Sequence, residues 1–138
     1  MKRLNLLIVL FCGTVISSCD PMTTYKKVIH NDSEYTLTIK NYTRAGTLSS
    51  YELQATHTVN PKSELILSDG SYLGDPKSQS CIIFGDSLVC SVASQENVKV
   101  DFNFNDGKNW ERSKSGNSAK GYRIECHSAV KNENIKPE

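Results

Sequence analysis

The sequence predicts an all-β fold, an antiparallel β-sandwich of about seven or eight strands with an immunoglobulin-like layout. Two observations carry that expectation: apolar residues recur at every second position through much of the chain, and turn-forming residues separate those stretches at short intervals. No stretch carries a helical period. A sheet with one apolar face has to bury it, and a second sheet is the simplest cover. A small β-barrel is the competing architecture.

Three strands are marked most strongly. Tyr35, Leu37 and Ile39 alternate with Thr36, Thr38 and Lys40. Tyr51, Leu53, Ala55, His57 and Val59 alternate with Glu52, Gln54, Thr56 and Thr58, which places all five on one buried face. Val98, Val100, Phe102 and Phe104 alternate with Lys99, Asp101, Asn103 and Asn105. Weaker strands are expected at Tyr25–His30, Leu65–Leu67, Ile82–Phe84, Leu88–Val92 and Tyr122–Cys126. Between them lie Asn31-Asp32-Ser33, Asn60-Pro61-Lys62-Ser63, Asp69-Gly70, Gly85-Asp86 and Asp106-Gly107. Each supplies a residue that tolerates positive φ or bonds its own backbone. Ser113–Gly121 reads as a mobile loop, and residues 128–138 as a disordered polar tail with too few apolar side chains to order itself.

The N-terminus reads as a processing segment. Lys2 and Arg3 precede an apolar run from Leu4 to Ile16, too short to span a bilayer and of the length of a signal-peptide core. The run ends in Ile16-Ser17-Ser18-Cys19, which resembles the bacterial lipobox. That resemblance implies a lipoprotein signal peptide over 1–18, lipidation of Cys19, a short tether over 19–24 and one domain over 25–127. Burying acyl chains is worth about 0.8 kcal/mol per methylene, so lipid alone holds such a domain on a membrane. Loss of Lys2 and Arg3 lowers the formal charge of +1 by two, and a near-neutral chain is a poor partner for nucleic acid. Asp20 after the cysteine fits either inner-membrane retention or surface export, the outer membrane or cell surface being the favoured location.

Several segments together resemble small uncharacterised β-sandwich lipoproteins of Bacteroidetes: the lipobox, Val28-Ile29-His30-Asn31-Asp32-Ser33 with the strand after it, Val59-Asn60-Pro61-Lys62-Ser63, and Phe104-Asn105-Asp106-Gly107-Lys108. The resemblance implies fold and envelope location, and carries over no functional residue.

Outside the cytoplasm cysteines can pair. A two-residue Gly85-Asp86 turn would set Cys81 opposite Cys90 at bridging distance, so a Cys81–Cys90 disulfide is expected, with Cys126 a buried free thiol. No metal site or cofactor is expected. Cys81 and Cys90 lack the close spacing of zinc pairs, and Cys126 and His127, as strand neighbours, point to opposite faces.

Ile82-Ile83-Phe84-Gly85-Asp86-Ser87-Leu88 resembles the first block of the GDSL esterase family, which would make Ser87 a nucleophile. The later blocks depart from that pattern: Asn103 stands where Gly belongs, and Ile124 where Asp belongs, three residues before His127. A catalytic serine also needs a base, an orienting carboxylate and oxyanion donors. Asp86-Ser87-Leu88 further resembles a short O-glycosylation acceptor. His57 reads as a core-facing histidine, and His30 has no face assigned. Trp110 and Tyr72 are candidate ligand contacts, although packing over the end of the sandwich suits so large a side chain as Trp110 better. The expected function is a non-catalytic envelope binding module for an unknown protein or glycan, anchored by its N-terminal lipid. A structural accessory subunit of an envelope complex is the alternative, and an esterase using Ser87 a remote one.

Overall fold

The computed structural model describes residues 20–45, 50–74, 76, 80–82 and 86–138. Nine strands run in chain order: β1 Met22–Asn31, β2 Leu37–Ala45, β3 Ser50–Val59, β4 Ser63–Leu73, β5 Asp86–Val92, β6 Val98–Val100, β7 Glu111–Asn117, β8 Gly121–Val130 and β9 Ile135–Pro137. They form a four-stranded sheet in the order β4-β1-β8-β7, a three-stranded sheet β3-β2-β5 and a small pair β6-β9. The sheets do not close into a barrel, so the sandwich is the architecture. Every pairing is antiparallel except β1 with β8, which run parallel in the middle of the larger sheet.

The core lies between the two large sheets. Ile29, Ile124, Cys126 and Val130 come from one, and Leu37, Ile39, Val59, Leu88 and Val92 from the other. The connection after β6 folds Phe102 against Phe104 and Phe104 against Trp110. Phe104 and Trp110 join the same core.

Two bulges change what the alternation implies. Asn41 pairs with Ala55 but Tyr42 pairs with Leu53, so Gln54 is an extra residue in β3. Val59, His57 and Ala55 stay on the β2 side that buries Leu37 and Ile39, as expected. Leu53 and Tyr51 are carried to the outer face, at 52% and 54% exposure, against the expectation of one buried face. In β4, Leu67 is the extra residue between the partners of Lys27 and Val28.

The connection from β1 to β2 and the corner from β3 to β4 meet at one buried residue. Asn31 Nδ2 donates to the carbonyls of Tyr35 (2.7 Å), Val59 (3.0 Å) and Asn60 (3.0 Å). Its Oδ1 accepts from the Ser33 amide at 3.1 Å and the Ser33 hydroxyl at 2.6 Å. Asp32 N donates to Val130 O at 2.8 Å, joining the same corner to the end of β8.

Several expectations are corrected. The segment expected as a loop over 113–121 is mostly strand, β7 turning at Asn117 into β8. Its tight turn depends on Gly116 and Gly121, both at positive φ, where a Cβ would lie 2.2 Å and 2.5 Å from backbone oxygens. Residues 128–138 are not a disordered tail. β8 runs to Val130, and Ile135–Pro137 pairs with Val98–Val100, with Lys136 ion-paired to Asp101. The expected tether over 19–24 is shortened, because β1 already begins at Met22. The hairpin expected around Gly85-Asp86 does not set the register of β5. Leu88, Cys90 and Val92 pair instead with Asn41, Ile39 and Leu37 of β2.

The disulfide changes with that pairing. Cys81 is bonded to Cys126, with Cα atoms 5.6 Å apart, and Cys90 is the free thiol among the described residues. Cys81 precedes β5 and is drawn across to β8, while Cys90 is committed to the strand beside Ile39. Burial pushes the Cys90 thiol up to about 12. Cys90 in the folded protein is therefore expected to alkylate at neutral pH at least about tenfold more slowly than an exposed thiol, and at the ordinary rate in denaturant, which timed mass spectrometry would check.

Candidate functional site

Because β1 and β8 run parallel, their outward side chains form two adjacent files. Val28 lies opposite His127 and His30 opposite Ala129, so the rings of His30 and His127 meet on the diagonal. His30 Nε2 and His127 Nδ1 are 2.9 Å apart, with ring centroids 5.2 Å apart and planes only 18° from parallel. The centroids are about as far apart as that nitrogen contact permits, so the rings lie end to end in nearly one plane.

The outer nitrogen of each ring faces a carboxylate. His30 Nδ1 is 3.8 Å from Glu64 Oε2, and His127 Nε2 is 3.8 Å from Glu125 Oε2. Glu64 is the cross-strand neighbour of His30 on β4, and Glu125 precedes His127 by two on the same face of β8. Arg123 donates to the other oxygen of Glu125, Nη2 at 2.6 Å and Nε at 3.0 Å, which leaves Oε2 toward His127. That hydrogen bond, together with the charges of Arg123, His127 and Lys26, holds the Glu125 carboxyl below the usual carboxylate range. Its charge therefore persists at mildly acid pH.

Hydrogen counting on this row is informative. The facing nitrogens share one hydrogen, and each outer nitrogen is best matched to its carboxylate when it also carries one. Three hydrogens on two rings describe a singly protonated pair. Two neutral rings leave one carboxylate facing a bare nitrogen, and two imidazolium rings set N–H against N–H. The arrangement thus accommodates one positive charge between two negative ones.

The pair lines an open groove of about 620 Å³, with Asp32, Phe102, Lys108 and Glu111 among the other walls. Glu111 on β7 lies directly opposite His127. The groove therefore sits where β1 and β8 approach their ends, with both signs of charge on its rim.

The residues singled out by sequence lie elsewhere. Trp110 is 7% exposed, and its indole nitrogen donates to Phe104 O at 2.7 Å, so it is a core residue and not a ligand contact. Lys27 Nζ lies 4.4 Å from its ring centroid. Tyr72 is on β4, opposite the fully buried Thr23, with its hydroxyl buried and without a hydrogen-bond partner. It too is packed inward and not a surface contact. Ser87 is the second residue of β5, in regular register with Tyr42, and so does not occupy the strand-to-helix turn of the GDSL enzymes. His57 lies beside Ile39 on the inward side of β3. Cys19 and the lipobox lie outside the described residues, as do Ile83, Phe84 and Gly85.

His30, His127, Glu64 and Glu125 are the residues sequence reasoning missed. No local pattern joins them, since they meet only through the parallel pairing of two strands almost a hundred residues apart. The one available signal was parity: His127 next to a core-facing Cys126 has to point outward, as it does. No family model, curated protein or solved structure matches this chain.

Proposed function

We propose that the chain is a lipid-anchored envelope lipoprotein whose sandwich is a non-catalytic binding module, held at Cys19 and presenting the His30–His127 groove to its ligand. The observation that carries this reading is the position of β1. Only Asp20 and Pro21 separate its first residue, Met22, from the lipobox cysteine, and the same strand ends in the groove. Met22 to His30 spans about 25 Å of extended chain, so anchor and groove occupy opposite ends of the domain. Met22 and Leu73, cross-strand partners at the anchored end, are 55% and 71% exposed, apolar surface suited to lying near lipid. Among the described residues no helix is long and apolar enough to cross a membrane, so attachment rests on the N-terminal lipid.

The outer membrane or cell surface is the favoured location. Intact cells treated with protease, with lysed cells and a periplasmic protein as controls, are expected to lose the domain. Protection until lysis would place it in the periplasm and favour the second reading, an accessory subunit of an envelope complex. The observation on that side is the outward face of the smaller sheet, where Tyr51 and Leu53 stand exposed across from Arg44 and Tyr42. A partner crosslinked through that face would carry it.

A further inference from the structure

We propose that His30 and His127 form a binding site for a divalent transition-metal ion of the imidazole-preferring class, Zn²⁺ or Cu²⁺, which enters by displacing the proton the two rings share. The inference does not depend on how the domain is anchored. Its basis is the same hydrogen count. Metal-free, the pair is fully matched only when it carries an extra proton. With a cation on the two inner nitrogens both rings are neutral, and both outer nitrogens keep the hydrogens that face Glu64 and Glu125 at 3.8 Å. Carboxylate, imidazole and metal in that order is the arrangement that fixes the tautomer of metal-bound histidines and raises their basicity.

The reach is right. Two ligand nitrogens in adjacent positions on an ion, each at about 2.0–2.1 Å, lie roughly 3 Å from one another. His30 Nε2 and His127 Nδ1 are 2.9 Å apart across two hydrogen-bonded strands. The strands need not move; the rings tilt so that their lone pairs converge on the groove side instead of on each other. Both side chains are about one-third exposed, which leaves them that freedom. Among the described residues no three His, Cys, Asp or Glu side chains already converge as a metal group. The site is therefore a two-imidazole one completed by water, with Glu111 and Asp32 on the groove wall as the acidic side chains placed to join. The carboxylates facing it come from each neighbouring strand: Glu64 on β4, Glu125 on β8 and Glu111 on β7. Lys108 and Lys131 on the rim, with Lys26 and Arg123 on the same sheet, oppose the cation and limit its affinity.

The experiment is calorimetric titration of the untagged, disulfide-intact protein with ZnCl₂ at neutral pH, and of CuCl₂ followed by electron paramagnetic resonance. One ion per chain is expected at micromolar affinity, with nitrogen hyperfine coupling from two imidazoles. Affinity should fall by at least about tenfold near pH 5, where protons compete for the same nitrogens. His30→Gln and His127→Gln should each abolish saturable binding, and Glu125→Gln should weaken it by about 10- to 100-fold. His57→Gln should leave it unchanged. Circular dichroism establishes that each variant is folded. Absence of saturable binding by the wild-type chain, or equal binding by the folded His30→Gln and His127→Gln variants, would overturn the proposal.

Discussion

Replacing Cys81 and Cys126 together by serine is expected to cost the fold about 4 kcal/mol, the loop-closure value for a cross-link between residues 45 apart. In a domain of this size that corresponds to a fall of more than about 10 °C in Tm. The bridge is the covalent tie between the segment leading into β5 and the central strand β8, and both its cysteines are buried. Thermal unfolding with and without reductant measures the effect, and mapping after alkylation identifies the pair. The Cys81 peptide should be linked to the Cys126 peptide, with Cys90 alkylated only after unfolding. A Cys81–Cys90 link, or three alkylated thiols in the domain, would contradict the pairing.

Asn31→Asp is expected to be the most damaging isosteric change. The side-chain nitrogen of Asn31 faces three carbonyl oxygens within 3.0 Å, and a carboxylate there would set negative charge against all three in a site without solvent. Asn31→Ala removes the donors and also leaves the Ser33 amide and hydroxyl without their acceptor. Each variant should lose about 3 to 5 kcal/mol in urea unfolding, Asn31→Asp the more. Asn31→Asp should recover part of its loss as pH falls through the range of its own carboxyl. Its folded-state pKa is raised, so its neutral form is the one the folded state tolerates. A loss below about 1 kcal/mol would mean that the corner is held by packing and not by Asn31.

The alternation in β2 was legible because a sheet face packed on a core constrains every second residue, and Leu37 and Ile39 are indeed fully buried. The same rule failed at Tyr51 and Leu53, where the single extra residue Gln54 reverses parity. A bulge leaves no mark in a polar stretch. β9 was missed for another reason: Ile135–Pro137 is a strand only because Val98–Val100 lies beside it, and that pairing is a long-range event. The disulfide failed similarly. A local hairpin offers Cys90 to Cys81, but β2 recruits the strand that carries Cys90 and leaves Cys81 to a cysteine 45 residues on. The candidate groove depends on the least predictable feature, a parallel pair within an otherwise antiparallel sandwich.

The central claim is that this sandwich is tethered by lipid on Cys19 and processed at that residue. Intact mass of the protein extracted from the membrane fraction, followed by N-terminal fragmentation, tests it most directly. The account predicts a chain beginning at Cys19 and carrying diacylglyceryl and acyl mass on that residue, with Cys19→Ser leaving the chain uncut and unlipidated. A soluble, unmodified chain, or lipid-free protein cut at another residue, would contradict it.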